Sequence, residues 1–238
     1  PPPSPPPPSS PPLPPSPPPS PKPPCATPLD FVLVLDESGS MKRPLPDGSM
    51  EGPNGVKAFA KKLVNEYFLG PQAARFAVVS FADNATTRVS WSYDQLVINA
   101  AIDEMEADGG TSISDGFERA QQLFADDGRV GATKIVLLLS DGGQTIDAAP
   151  GKSPNQTAID AAGSIKADGV TVFAWGFGDA LLEATTLEQL ATDPSKSILA
   201  QDISELTKLT TLLEAAVCND SPPPTPPPPL PPAPPSPP

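Results

Sequence analysis

The sequence predicts an α/β domain with a doubly wound, mostly parallel sheet, one antiparallel edge strand and helices on both faces. Three observations carry that expectation. Short runs rich in Val, Ile, Leu and Phe show little polar alternation, as strands buried on both faces do. Between them lie segments with apolar residues three and four apart, the spacing of amphipathic helices. The prolines, which break either element, gather at the ends: 17 of the 38 stand in residues 1–24, 13 in residues 221–238 and 8 between.

Core strands are predicted over residues 29–35, 75–81, 134–139 and 170–177. Val56, Phe59, Ala60, Leu63, Val64 and Tyr67 trace one face of a first helix, and Ile113, Phe117, Ala120, Leu123 and Phe124 do the same for another. Further helices are predicted over residues 94–105, 157–167, 182–192 and 204–217. The Asp83-Asn84 turn signal precedes residues 86–91, which are predicted to return as the antiparallel edge strand. Alternation of strand and helix then yields right-handed crossovers, with ligands expected outside the carboxyl ends of the strands.

Residues 25–220 are thus expected to form one domain, between proline-rich tails at 1–24 and 221–238. About 196 residues suffice for a single sizeable core. The net charge of -13 lies almost wholly in that domain, because the tails carry only Lys22. Such a surface repels phosphate backbones, so nucleic acid and an anionic membrane are not expected partners. Apolar runs such as residues 135–139 fall far short of the roughly 20 residues of a spanning helix. The chain opens at Pro1 without an initiator Met or signal-like segment, and is expected to be a processed form or a fragment.

Consecutive prolines fix φ and remove N–H donors, which leaves the tails polyproline II as stiff spacers. Their runs of Ser followed by Pro resemble the hydroxyproline-rich glycoproteins of plant and green-algal walls and matrices. That resemblance implies hydroxylated, glycosylated prolines; an unmodified linker or a ligand for a proline-binding module is the alternative reading.

The two cysteines, Cys25 and Cys218, stand at the junctions of domain and tails. A bridge joining the domain's ends is the preferred reading, two free thiols the alternative; a bridge implies an extracellular, secreted protein. Acceptor sequons at Asn84 and Asn155 agree with secretion, and a third at Asn219 is weakened by the proline that follows it.

The most specific signal is Asp36-Glu37-Ser38-Gly39-Ser40, which directly follows the apolar run 31–35. Alternate oxygen-bearing side chains at the end of a buried strand suit a hard divalent cation. Two more segments complete the pattern: Thr111 within Gly109-Gly110-Thr111-Ser112, and Asp141 within Ser140-Asp141-Gly142-Gly143, just past a core strand. Singly, the serines read as caps or turn residues and Asp141 as an Asx turn. Gly39, Gly110 and Gly142 would let the loops turn tightly near an ion.

In order, spacing and strand context, these segments resemble the von Willebrand factor type A (VWA) domain and its metal-ion-dependent adhesion site, over residues 29–217. The resemblance implies that Ser38 and Ser40 ligate Mg²⁺ or Mn²⁺ directly and that Asp36 and Asp141 bind directly or through water. It also implies that Thr111 joins when the ion takes a Glu or Asp from a protein partner. Glu37 alternates with these positions and is expected to point away. Residues 42–53 form a longer loop than the family usually carries there, expected to gate the ion, to shape the ligand surface or to be a tolerated insertion. In family members that switch affinity the last helix moves, so a bridge at Cys25 and Cys218 is expected to carry tension past residues 204–217 and hold one affinity.

The chain has no His, which excludes His-dependent triads and His-ligated zinc. Residues 109–112 lack the Lys and spacing of a P-loop. The leading expectation is therefore a non-enzymatic extracellular module that captures an acidic residue through a metal ion. Two alternatives stand beside it: a wall or matrix glycoprotein in which the domain is a spacer, and the non-catalytic part of a larger matrix enzyme.

Overall fold

The run that the sequence marks most clearly forms the middle of the sheet. The computed structural model describes residues 25, 27–42, 49–178 and 184–219, and the expectations for both tails lie outside them. β1 (Leu29–Asp36) is buried at all eight positions and pairs in parallel with β2 (Ala74–Phe81) on one side and β4 (Thr133–Ser140) on the other. β3 (Ala85–Ser92) pairs antiparallel with β2, while β5 (Thr171–Phe177) and β6 (Ser197–Ala200) extend the other edge in parallel. The order is β3-β2-β1-β4-β5-β6, so the doubly wound, mostly parallel sheet has its one antiparallel strand at an edge.

The side-chain period of two divides β1 between two cores. Leu29, Phe31, Leu33 and Leu35 meet α1 (Val56–Asn65), α2 (Gln95–Asp103), α6 (Ile203–Lys208) and α7 (Thr210–Asn219). Val32 and Val34 meet α3 (Ile113–Asp127), α4 (Pro154–Ala167) and α5 (Ala184–Leu190). Helices thus cover both faces, and a strand buried on both has no place for polar alternation. α3 lies so close to β1 that a Cβ on Gly116 would meet Val34 at 2.8 Å.

Three elements depart from the sequence expectation. β6 has only four residues, too few to carry a periodic signal, and is specified by its pairing with β5. The helix predicted over residues 204–217 is two helices broken at Leu209, where Thr207 and Thr210 turn their hydroxyls onto the carbonyls of Ile203 and Thr207. β-Branched threonines that bond backbone carbonyls weaken a continuous helix. α4 starts earlier than predicted because Ser153 accepts from Gln156 N and Pro154 takes the first turn. Of the helix expected over 182–192, the described part runs from Ala184.

Cys25 and Cys218 are bonded, with Cα atoms 5.0 Å apart. The bridge ties the chain entering β1 to the last turn of α7 and closes a loop of 193 residues. In the chain-entropy account such a loop stabilises by about 5 kcal/mol at most.

The amino-terminal edge of the sheet is closed by an ion cluster. Fully buried Asp30 accepts from Arg75 Nε at 2.8 Å and Nη2 at 3.0 Å, and from the main-chain N and Nε of Arg129, both at 2.7 Å. Arg129 also donates to the carbonyls of Pro71, Leu29 and Ala73. Burial raises the Asp30 pKa, but the hydrogen bonds from both arginines outweigh it and hold the carboxyl below its ordinary value.

Candidate metal centre

Strand order reverses between β1 and β4, where an open α/β sheet places its ligands. Asp36 ends β1, and Ser140 and Asp141 lie at the end of β4. The two ends meet through side chains. Ser140 Oγ donates to Asp36 Oδ2, and Ser38 N donates to Asp36 Oδ1 at 2.7 Å. The Ser38 and Ser40 hydroxyls stand 2.9 Å apart, and Ser40 Oγ donates to Asp141 Oδ1 at 2.7 Å. Asp36, Ser38, Ser40 and Asp141, four of the five sequence-predicted residues, are thus linked in series, the first link through the Ser38 main-chain N and the others between side-chain oxygens. Ser40 is the second residue of the 3-10 turn Gly39–Lys42 that follows β1, and its hydroxyl reaches Asp141 beyond β4.

Thr111 faces them across a cleft of about 340 Å³ that Ser40, Gly110, Thr111, Gly142, Thr145 and Asn155 line. No direct bond joins Thr111 to the serines; its main chain is fixed instead. Thr111 N donates to Thr145 Oγ1 at 3.0 Å and Thr145 N to Thr111 O at 2.9 Å. Asp83 Oδ1 accepts from Gly110 N at 2.6 Å, and Gly39 N donates to Gly109 O at 2.9 Å. Gly109, with φ of 75°, holds the left-handed position in this loop, and a Cβ there would lie 2.9 Å from the Asp83 carboxylate. Buried Gln144 caps α3 by accepting from Ser114 N at 2.8 Å, which binds the segment after β4 to the helix that follows Thr111.

The electrostatics single out Asp36. It is fully buried, and desolvation pushes its pKa up to about 7 against the hydrogen bonds from Ser140 and Ser38, with the Asp141 charge adding to the rise. Among the described residues no guanidinium or ammonium is bonded to it. Nor does that set contain three or more His, Cys, Asp or Glu side chains grouped so that they alone could hold a metal ion. The centre holds two carboxylates and otherwise hydroxyls, an all-oxygen donor set that fits a hard divalent cation.

Several residues that shape the centre were not singled out as such by the sequence. Ser140, Gln144 and Thr145 act through hydrogen bonds between loops remote in sequence, which no local pattern encodes. Asp83 reads as a solvated acid and is the partner of Gly110 N. Asn84 is exposed on the turn between β2 and β3. Asn155 lies in the first turn of α4 on the cleft wall, its amide oxygen buried with no hydrogen-bond partner among the described residues. Of the loop over 42–53, residues 43–48 lie outside the described set; Ser49 Oγ bonds Met41 O, and Lys42 pairs with Asp108 at 2.9 Å.

Known proteins share this architecture. Mouse (Mus musculus) collagen alpha-4(VI) chain is 26% identical over 165 residues, 68% of this chain and 6% of the collagen. Human (Homo sapiens) matrilin-1 is 26% identical over 208 residues, 82% of this chain and 38% of matrilin-1. The chain therefore spans only a small part of these relatives. Proximal thread matrix protein 1 from the mussel byssus superposes with a TM-score of 0.66 at 28% identity, covering 82% of this chain and 47% of that one. The same mussel protein has been solved with a zinc occupied MIDAS motif, at a TM-score of 0.67 and 27% identity over 82% of this chain and 46% of that one. The family model of the von Willebrand factor type A domain matches residues 30–212, from the buried Asp30 of β1 into α7, and on that match the chain belongs to this family.

Proposed function

We propose that this chain is an extracellular adhesion or matrix module that holds Mg²⁺ or Mn²⁺ at Asp36, Ser38, Ser40 and Asp141 and captures an acidic residue of a protein partner. The observation that carries the reading is the series of hydrogen bonds that runs from Asp36 through the Ser38 main-chain N and the Ser38 and Ser40 hydroxyls to Asp141, gathering carboxylates and hydroxyls from two strand ends. When bound, the ion supplies an electrophilic position that accepts a Glu or Asp carboxylate. The two carboxylates balance its charge, the serine hydroxyls add neutral oxygens, and the cleft gives a partner's acidic side chain a way in beside Thr111. The chain's own chemistry is binding; with no His it has no general base of the usual type.

An extracellular setting is supported by the Cys25–Cys218 bridge, by the sequons at Asn84 and Asn155, and by relatives named as a collagen chain and a thread matrix protein. No helix among the described residues is long and apolar enough to cross a membrane. The domain would stand between its two proline-rich tails, with matrix or cell-wall components as partners.

Calorimetry tests the reading directly. Mg²⁺ or Mn²⁺ is expected to bind the wild-type domain and to lose that binding in Asp36→Ala; no binding to the wild type, or equal binding to the variant, rejects it. The proline-rich tails favour one second reading, a structural glycoprotein with the domain as spacer. In that case partners recovered from matrix extract would be the same with and without EDTA, whereas the metal reading expects EDTA to release them.

A further inference from the structure

Glu37 stands between two of the proposed ligands, Asp36 and Ser38, and strand alternation sends its side chain to the opposite face. It is 5% exposed there, an acid in a place that requires a counter-charge. Arg88 of the edge strand β3 supplies it: Nη2 reaches Oε1 at 2.7 Å and Oε2 at 2.8 Å. Ser80 Oγ donates to Oε1 at 2.7 Å, and the main-chain N of Glu106 donates to Oε2 at 3.3 Å. Arg88 itself bonds Ser80 Oγ through Nε at 2.7 Å. The main chain continues the link, because Asp108 N donates to Glu37 O at 2.8 Å. Glu106 and Asp108 belong to the connection that delivers Gly109, Gly110 and Thr111 to the cleft.

We propose that Arg88, acting through Glu37, sets how strongly the metal centre attracts an acidic ligand. This deepens the metal-binding reading and rests on it. Asp36 and Asp141 bring two negative charges to the centre, enough to balance a divalent ion. Glu37 is one residue away in a buried setting, and its charge is cancelled by a guanidinium bonded to both oxygens. With Arg88 removed, a third uncompensated carboxylate would make the surroundings net negative. That change favours the cation and disfavours an incoming anion. Mere loosening of the Thr111 connection would instead weaken both. Arg88 and Glu37 are thus positioning and charge-balancing residues, not ligands.

The experiment measures the two affinities separately on the disulfide-bonded domain. Calorimetry reads Mn²⁺ binding, and water-proton relaxation of the Mn²⁺-loaded domain reads acetate entering at the ion. Arg88→Gln is expected to hold Mn²⁺ at least as tightly as the wild type and to bind acetate about five- to tenfold more weakly. The double variant Glu37→Gln with Arg88→Gln is expected to return acetate affinity to within twofold of wild type. Glu37→Gln alone, which leaves the guanidinium unpaired, is expected to shift both in the reverse sense, with weaker Mn²⁺ and tighter acetate; it keeps the idea testable should Arg88→Gln not fold. Acetate affinity unmoved by these changes, or Mn²⁺ and acetate lost together without recovery in the double variant, overturns the proposal while leaving the metal reading intact. A wild type that binds no Mn²⁺ overturns both.

Discussion

Asp30 and Asp36 lie at the two ends of β1, on the same face, with Val32 and Val34 between them, and both are 0% exposed. Burial pushes each carboxyl upward, but the outcomes are opposite. At Asp30, hydrogen bonds from Arg75 and Arg129 win and the pKa falls; at Asp36, two hydroxyl-type partners and a backbone N–H do not, and it rises to about 7. Residue type and burial are shared, so the difference comes from what faces each carboxylate. A buried acid given a cation by its own chain serves the fold, while one left without is suited to a cation from outside.

Removing the acid at either end tests that contrast, and the largest effect is expected at the ion cluster. Asp30→Ala leaves two arginines without their buried partner and should lower stability by about 3–5 kcal/mol, read from urea unfolding. A loss below about 1 kcal/mol would mean that the arginines find other partners and would dissolve the comparison. Next, Mg²⁺ at about a hundred times its dissociation constant should raise wild-type stability by about 2.7 kcal/mol, and Asp36→Asn should abolish that increment. Without metal, Asp36→Asn should shift stability by less than about 1 kcal/mol and toward greater stability, the reverse of the change at Asp30. The smallest effect lies in acid. The folded pKa of Asp30 is below its unfolded value, so its contribution is complete above about pH 4 and fades as pH falls through the folded value. The gap between wild type and Asp30→Asn should therefore close as acid unfolding is followed from pH 5 to pH 2.

The apolar runs that became β1, β2, β4 and β5 were readable because strands buried on both faces leave an unbroken signature. The helices α1 and α3 were readable from spacings of three and four. β6 was not, since four residues at an edge take their register from Ala174 to Phe177 on the neighbouring strand. The last helix was overrun because a period alone does not register threonine hydroxyls bonding the chain's own carbonyls. Of the residues that meet at the candidate centre, Asp36, Ser38 and Ser40 stood in a spaced motif and Asp141 in a separate segment after a core strand, so their positions at strand ends were readable. Ser140, Asp83 and Gln144 were not, because each acts on a group at least 27 positions away.

The sequence by itself determined the alternation of strand and helix, the oxygen-rich ends of two strands and the pair of cysteines at the domain's borders, because each is written in local composition or spacing. The tertiary structure alone decided which carboxylate meets an arginine and which does not, that Glu37 answers to Arg88 on the edge strand, and that Thr111 stands across a cleft from Ser40. Those outcomes depend on a sheet order that sets β1 between β2 and β4, bringing together segments that the chain separates by tens of residues.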